Sequence, residues 1–134
     1  MANPNLLGIS NVEAITAFHS GIAVTTGGKG ALGITTVVSN AASSGKVLKI
    51  NSLTAAAIGA TTGVTLQYFN DVNHASAGST VSIGMTLSVP SFSTLAIITK
   101  DNTIYLQENT ALGIISQPET GGTIDVVCSY EEVS

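Results

Sequence analysis

The sequence predicts an all-β chain: an antiparallel β-sandwich or jelly roll of about eight strands, with an extended N-terminal arm. Three observations predict it. Apolar and polar residues alternate with a period of two, most cleanly where Val81, Ile83, Met85, Leu87 and Val89 are separated by Ser82, Gly84, Thr86 and Ser88. Turn-forming residues interrupt such runs about every 8–12 residues. Helical spacing is nowhere sustained over about ten residues, so almost no helix is expected.

In chain order, residues 1–14 are Asn-rich, hold Pro4 and Gly8, and show no clean period. They read as an arm preceding a domain over 15–134, and chain ends of this kind are held only when something packs on them. Ile15 to Thr26 and Ile34 to Ser39 read as strands joined by the turn-forming TTGGKGALG. The run Gly27-Gly28-Lys29-Gly30 is not a phosphate-binding loop. Ala23 stands where the leading Gly would be, and Gly30 follows the Lys where Ser or Thr is required.

Residues 40–46, NAASSGK, form a turn feeding the strand VLKINSLTAAAI, in which Leu48 and Ile50 share a face opposite Lys49 and Asn51. Gly59 to Gly63 turns the chain into the alternating strand Val64 to Tyr68, and Asn70 to Gly78 is a polar loop. The strand over Ser79–Pro90 ends at Pro90, which lacks a donor. From Ser93 to Glu132 four short apolar runs are separated by turns. In the last of them Ile124, Val126, Cys128 and Tyr130 share one face, and Asp125, Val127, Ser129 and Glu131 the other.

The chain's 134 residues fit one domain with a real core. Only 9% are charged, against roughly 25% in ordinary soluble domains. A surface this poor in charge guards weakly against self-association: either other subunits cover much of it, the preferred reading, or Ser, Thr, Asn and Gly keep it soluble unaided. Four scattered lysines, no arginine and a formal charge of -4 argue against nucleic acid, which needs clustered cations. Lys46 and Lys49 read as a solvated strand edge. The start has no basic end followed by an apolar core, and no run approaches the roughly 18 apolar residues of a membrane helix, so no membrane partner and a soluble product made in the cytoplasm are expected.

Catalytic and cofactor signals each have a plainer account. Cys128, the one cysteine, has no base or cation nearby in sequence and reads as a small core residue. Asp71, Asn73 and His74 lie close together, but His19 is the only other histidine, so a loop turn accounts for them better than a metal site. Glu131 and Glu132 are adjacent on a strand and face opposite ways, which excludes them as a carboxylate pair across one cleft. No G-x-S-x-G elbow is present. Aromatics amount to 4%, without Trp, which is poor provision for sugar stacking. No enzyme activity, catalytic residue, cofactor or metal is expected.

Four segments carry a resemblance: the opening MANPNLL, the central NAASSGKVLKINSL, SVPSFSTLAIITKDNTIYLQENTALGI, and the closing VVCSYEEVS. The chain resembles a family of small virion structural proteins of tailed bacteriophages, especially those of marine and cyanobacterial hosts. The shared pattern is the Gly45-Lys46 strand through Asn51, Val89-Pro90 before an apolar strand, Lys100-Asp101 followed by Tyr105-Leu106-Gln107-Glu108, and Ser129 to Glu132. Two departures fall on surface positions: residues 77–89 carry no charge where relatives often have an Arg-containing strand, and Gln107 stands where an acid is common.

The resemblance implies a non-enzymatic capsid decoration or cement protein. It would bind the outside of a tailed-phage head, assemble in the host cytoplasm and end in the virion. Its partners would be the major capsid protein or other virion proteins, with further copies of itself as a homo-oligomer. The alternative is a tail, neck or baseplate module that binds a receptor or glycan. The arm residues Asn3, Pro4, Asn5, Leu6, Leu7 and Ile9 are the expected partner contacts.

Overall fold

The computed structural model describes residues 6–22, 34–72, 80–118 and 122–134. Nine strands follow in order: β1 Val12–Ile22, β2 Thr35–Asn40, β3 Val47–Ile58, β4 Thr62–Phe69, β5 Thr80–Val89, β6 Thr94–Ile98, β7 Ile104–Leu106, β8 Thr110–Pro118 and β9 Thr123–Val133. Among the described residues the only helical pieces are short 3-10 turns at Leu6–Gly8 and Lys100–Asn102.

The strands form two antiparallel sheets. The first has the order β1-β9-β3-β6, with β7 also paired to β3, and the second the order β2-β8-β4-β5. With the short β7 set aside, the chain crosses between sheets in the order of a jelly roll: β1, β3, β6 and β9 in one layer, β2, β4, β5 and β8 in the other.

Local chemistry accounts for most of this. In β3, Leu48 and Ile50 are buried, and so are Leu53, Ala55 and Ala57. A strict period of two would put these two sets on opposite faces. A register shift between Ile50 and Ser52 against β9 absorbs one residue and returns both to the core. In β9, Ile124, Val126 and Cys128 are buried and Val127 is exposed, as the alternation requires. Facing them from the second sheet are Val64, Leu66, Leu112 and Ile114, so the core lies between the layers.

The second sheet is covered on its outer side as well: Phe69, Ala111 and Ile115 are buried there, and Thr65 and Gln67 in β4 are buried too. Gly113 makes this close packing feasible. A Cβ at Gly113 would collide with Ile34 Cγ2 and lie 2.8 Å from Phe69 Cε2. Gly113→Ala will therefore lower stability by about 1–3 kcal/mol, read as a lower urea midpoint. An unchanged midpoint would mean that the two side chains swing away freely.

The sheet order decides three points that alternation alone left open or placed otherwise. The alternating run in β5 does not line the core: Val89 is buried, but Val81 and Ile83 are exposed and Met85 is 67% exposed. Among the described strands β5 is an edge strand, and register shifts on either side of Leu66 break its phase against β4. Lys49 is not on a strand edge, because β3 pairs with β9 on one side and with β6 and β7 on the other. β1 takes in Val12, Glu13 and Ala14, which pair with Val133, Glu132 and Glu131. Just before them, the Ser10 and Asn11 amides donate to the Ser134 carbonyl at 2.8 and 3.0 Å, and Ser134 N donates to Asn11 O at 3.0 Å.

Candidate interaction surfaces

Pairing places β9 between β1 and β3, and so assembles an outer face from residues distant in sequence. Phe18, Val127, Thr54 and Ala96 form one cross-strand row. Thr16, Ser129 and Ser52 form the next, with the Thr16 and Ser129 hydroxyls 3.3 Å apart. Ala14, Glu131, Lys49 and Tyr105 form the third, in which Lys49 Nζ and Glu131 Oε2 pair at 3.4 Å. The face is thus apolar at one end, hydroxyl-bearing in the middle and charge-balanced at the other. Phe18 stands 73% exposed on it, with Val127 exposed beside it.

Two further apolar groups are exposed. Val81, Ile83 and Met85 lie on the β5 edge. Ile58 and Phe92 lie at one end of β3, where Phe92 is 79% exposed with a left-handed φ of 55°. Phe92 N donates to Ala57 O, and Ala57 N to Ser93 O, each at 3.0 Å, and these bonds hold the conformation against its backbone cost.

A cleft of about 330 Å³ opens where β2 and β3 join, lined by Ser39, Asn40, Ser44, Lys46, Tyr130 and Glu132 among others. Lys46 Nζ pairs with Glu132 Oε1, and that hydrogen bond together with the carboxylate's charge holds the ammonium pKa above its ordinary value. Burial, and then the Glu132 charge, push the Tyr130 phenol up. Ser44 Oγ donates to Asn40 Oδ1 at 2.6 Å, so its hydroxyl is engaged by an amide rather than by a general base. The arrangement is one of structural polar bonds around a charge pair.

The remaining sequence candidates separate in space. Glu131 and Glu132 take different lysines on opposite faces of β9. Cys128 is fully buried, and burial pushes its thiol up to about 12, which leaves it protonated and inert. Asn73 and His74 lie outside the described residues, as do Asn3, Pro4 and Asn5. Among the described residues no three His, Cys, Asp or Glu side chains are placed to hold a metal ion, and no helix is long and apolar enough to cross a membrane. Of the arm, Leu7 is 96% exposed and Ile9 is exposed.

Tyr105 and Phe92 do not form one platform. Tyr105 lies opposite Lys49 and Phe92 bonds to Ala57, eight residues further along the same strand. That is a separation of about 26 Å at ~3.3 Å per residue.

The three-row face escaped the sequence reading because no local pattern says that β1 and β3 flank β9. The one available signal was Val127, an apolar residue on the otherwise polar side of β9. No protein-family model matches the chain, and no curated protein matches it.

Proposed function

We propose that this chain is a non-enzymatic structural protein of a tailed-phage particle, bound to the outside of the head as a decoration or cement protein. Its partners are the major capsid protein or other virion proteins and further copies of itself, and its place is the virion, after synthesis in the host cytoplasm. The observation that carries the reading is the outer face of the first sheet, apolar and hydroxyl-bearing, on which Lys49 and Glu131 are paired and the Asp125 carboxylate takes the Gly21 amide. Such a face gains by being covered and loses little by desolvation. Each 1,000 Å² of apolar area buried there contributes up to about 25 kcal/mol before ordering and docking costs. Repeated over a symmetric shell, modest interfaces of this kind resist pressure from packaged DNA.

The phage placement rests on the sequence resemblance. The jelly roll adds only analogy, since it serves viral coats, lectins and metal-binding cupins alike. The exposed Phe92 favours a second reading, a tail, neck or baseplate module for a receptor or glycan. The wide separation of Phe92 from Tyr105 denies that reading a two-ring stacking platform, and the head reading is preferred.

The test is binding of the purified chain to particles stripped of it. Phe18→Ser combined with Val127→Ser will weaken binding about 30-fold or more while leaving the unfolding free energy within about 0.5 kcal/mol. Undiminished binding would overturn the proposed interface, and density for the chain on the tail in a whole-particle image would overturn the head placement. The arm is tested separately by removing residues 1–9, which spares the Ser10 and Asn11 bonds to Ser134. Loss of binding by a folded protein is expected, and normal binding would remove the arm from the interface.

A further inference from the structure

We propose that β1 pairs antiparallel with β1 of a second copy across a two-fold axis at Thr16, with Glu13 of each copy opposite His19 of the other. The pairing joins two five-stranded sheets into one of ten strands. It gives a geometry to the self-association in the proposed function, but stands on β1 alone and not on the phage placement.

β1 pairs with β9 along one edge, and no described strand pairs with its other edge. Among the described residues no backbone partner meets that edge from Val12 to Ser20 of this 11-residue strand. Natural sheets blunt such edges with Pro, Lys, short length or bulges. This one has neither Pro nor Lys, and its single irregularity falls at the far end, between His19 and Ile22, where Gly21 has a φ of +66°. The regular stretch runs from Val12 to His19. An axis at Thr16 uses nearly all of it.

The side chains specify the same axis. A two-fold pairing that keeps both cores on one side of the joined sheet sets residues of equal parity opposite each other. Glu13 and His19 are the only ionisable groups on β1, they share a face, and they lie three residues either side of Thr16. With the axis there, each carboxylate meets the other copy's imidazole. Ala14 then meets Phe18, Ile15 meets Ala17, and Val12 meets Ser20, so a larger side chain lies against a smaller one in each of these three pairs. Moving the axis by one residue sets Glu13 against Ala17 or Gly21, and moving it by three sets like against like.

The charges on the chain itself leave room for this. Glu13 lies opposite Glu132, whose carboxylate already takes Lys46. Lys46 feels the Glu13 charge only as a lesser influence. His19 lies opposite Val126, and the nearby Asp125 carboxylate accepts from Gly21 N at 2.8 Å. An imidazole N–H from the second copy gives Glu13 a partner of its own.

Cysteine cross-linking of the full chain tests the register. The native Cys128 is buried and supplies little background. Thr16→Cys sets two thiols directly opposite, with Cα atoms about 4.5–5.5 Å apart, inside the disulfide range. Mild oxidation will convert Thr16→Cys to a covalent dimer. Val12→Cys and Ser20→Cys will stay monomeric alone and cross-link when mixed with each other. Sedimentation will show Glu13→Lys weakening the dimer about tenfold, with Glu13→Lys/His19→Glu restoring it.

The proposal is overturned if Thr16→Cys cross-links no faster than the wild type, if Val12→Cys alone cross-links as fast as Thr16→Cys, or if Glu13→Lys leaves self-association unchanged. These measurements are made without particles. A dimer that fails to bind particles overturns the proposed function instead, and particle binding by a strict monomer overturns only the β1 pairing.

Discussion

Between pH 9 and pH 12 the folded chain will lose up to about 4 kcal/mol of stability, and Cys128→Ala will remove most of that loss. An ordinary thiol titrates near 9.0, whereas burial raises the Cys128 thiol to about 12. Below pH 9 the thiol is protonated in both the folded and the unfolded chain, and its contribution is fully present. Above pH 9 the unfolded chain sheds the proton that the folded chain retains, so stability falls with rising pH until the folded thiol also ionises. Three pH units at about 1.4 kcal/mol each set the upper limit. Lys46 and Tyr130 are raised as well, the first by its hydrogen bond to Glu132 and the second by burial, so both act in the same direction. Both are partly exposed and screened, which leaves Cys128 as the main source. Urea midpoints under reducing conditions across this range are the measurement. An equal slope in Cys128→Ala would locate the alkaline loss elsewhere.

Asn40→Ala will cost about 2–4 kcal/mol and lower the melting temperature by about 10 °C. Asn40 is buried at the end of β2. Its Nδ2 donates to Lys46 O at 2.8 Å and to Leu106 O at 3.1 Å, and its Oδ1 accepts from Ser44 Oγ at 2.6 Å. Both amide protons are spent on carbonyls of other segments, so the side chain ties the turn before β3 to the end of β7. Beside it the buried Glu108 carboxylate accepts from Gly45 N at 2.6 Å. Truncating Asn40 orphans two carbonyls and frees the turn that carries Lys46. Asn40→Asp will also destabilise, because it keeps the acceptor and loses both donors. Calorimetry of the two variants decides the matter, and a change under about 0.5 kcal/mol in either would show that water takes the amide's place.

The legible parts of the fold were those with a local cause. Turn residues on either side of Val47–Ile58 bounded β3, and both bounds hold in the structure. The alternation in Ile124 to Tyr130 correctly assigned the buried and outward faces of β9, because successive side chains on a strand point opposite ways. The same rule named no buried face for β5, a strand over Thr80–Val89 as expected. Its alternation is the cleanest in the chain, but alternation says which residues share a side and not whether another layer covers that side. Lys46 and Lys49 escaped for a related reason: their partners Glu132 and Glu131 are more than 80 residues away.

From its sequence alone, the protein is an all-β chain with few charges, a single buried thiol and no assembled catalytic motif. These follow from composition, period and turn chemistry, each of which acts within a few residues. The tertiary structure alone decided which strands became edges, which face stayed bare and which side chains met. The row from Phe18 through Val127 and Thr54 to Ala96, and the β1 edge on which Glu13 and His19 flank Thr16, exist because β1 and β9 pair across more than 100 residues of chain. Long-range pairing is selected by the burial of whole sheets, and no short window of residues encodes it.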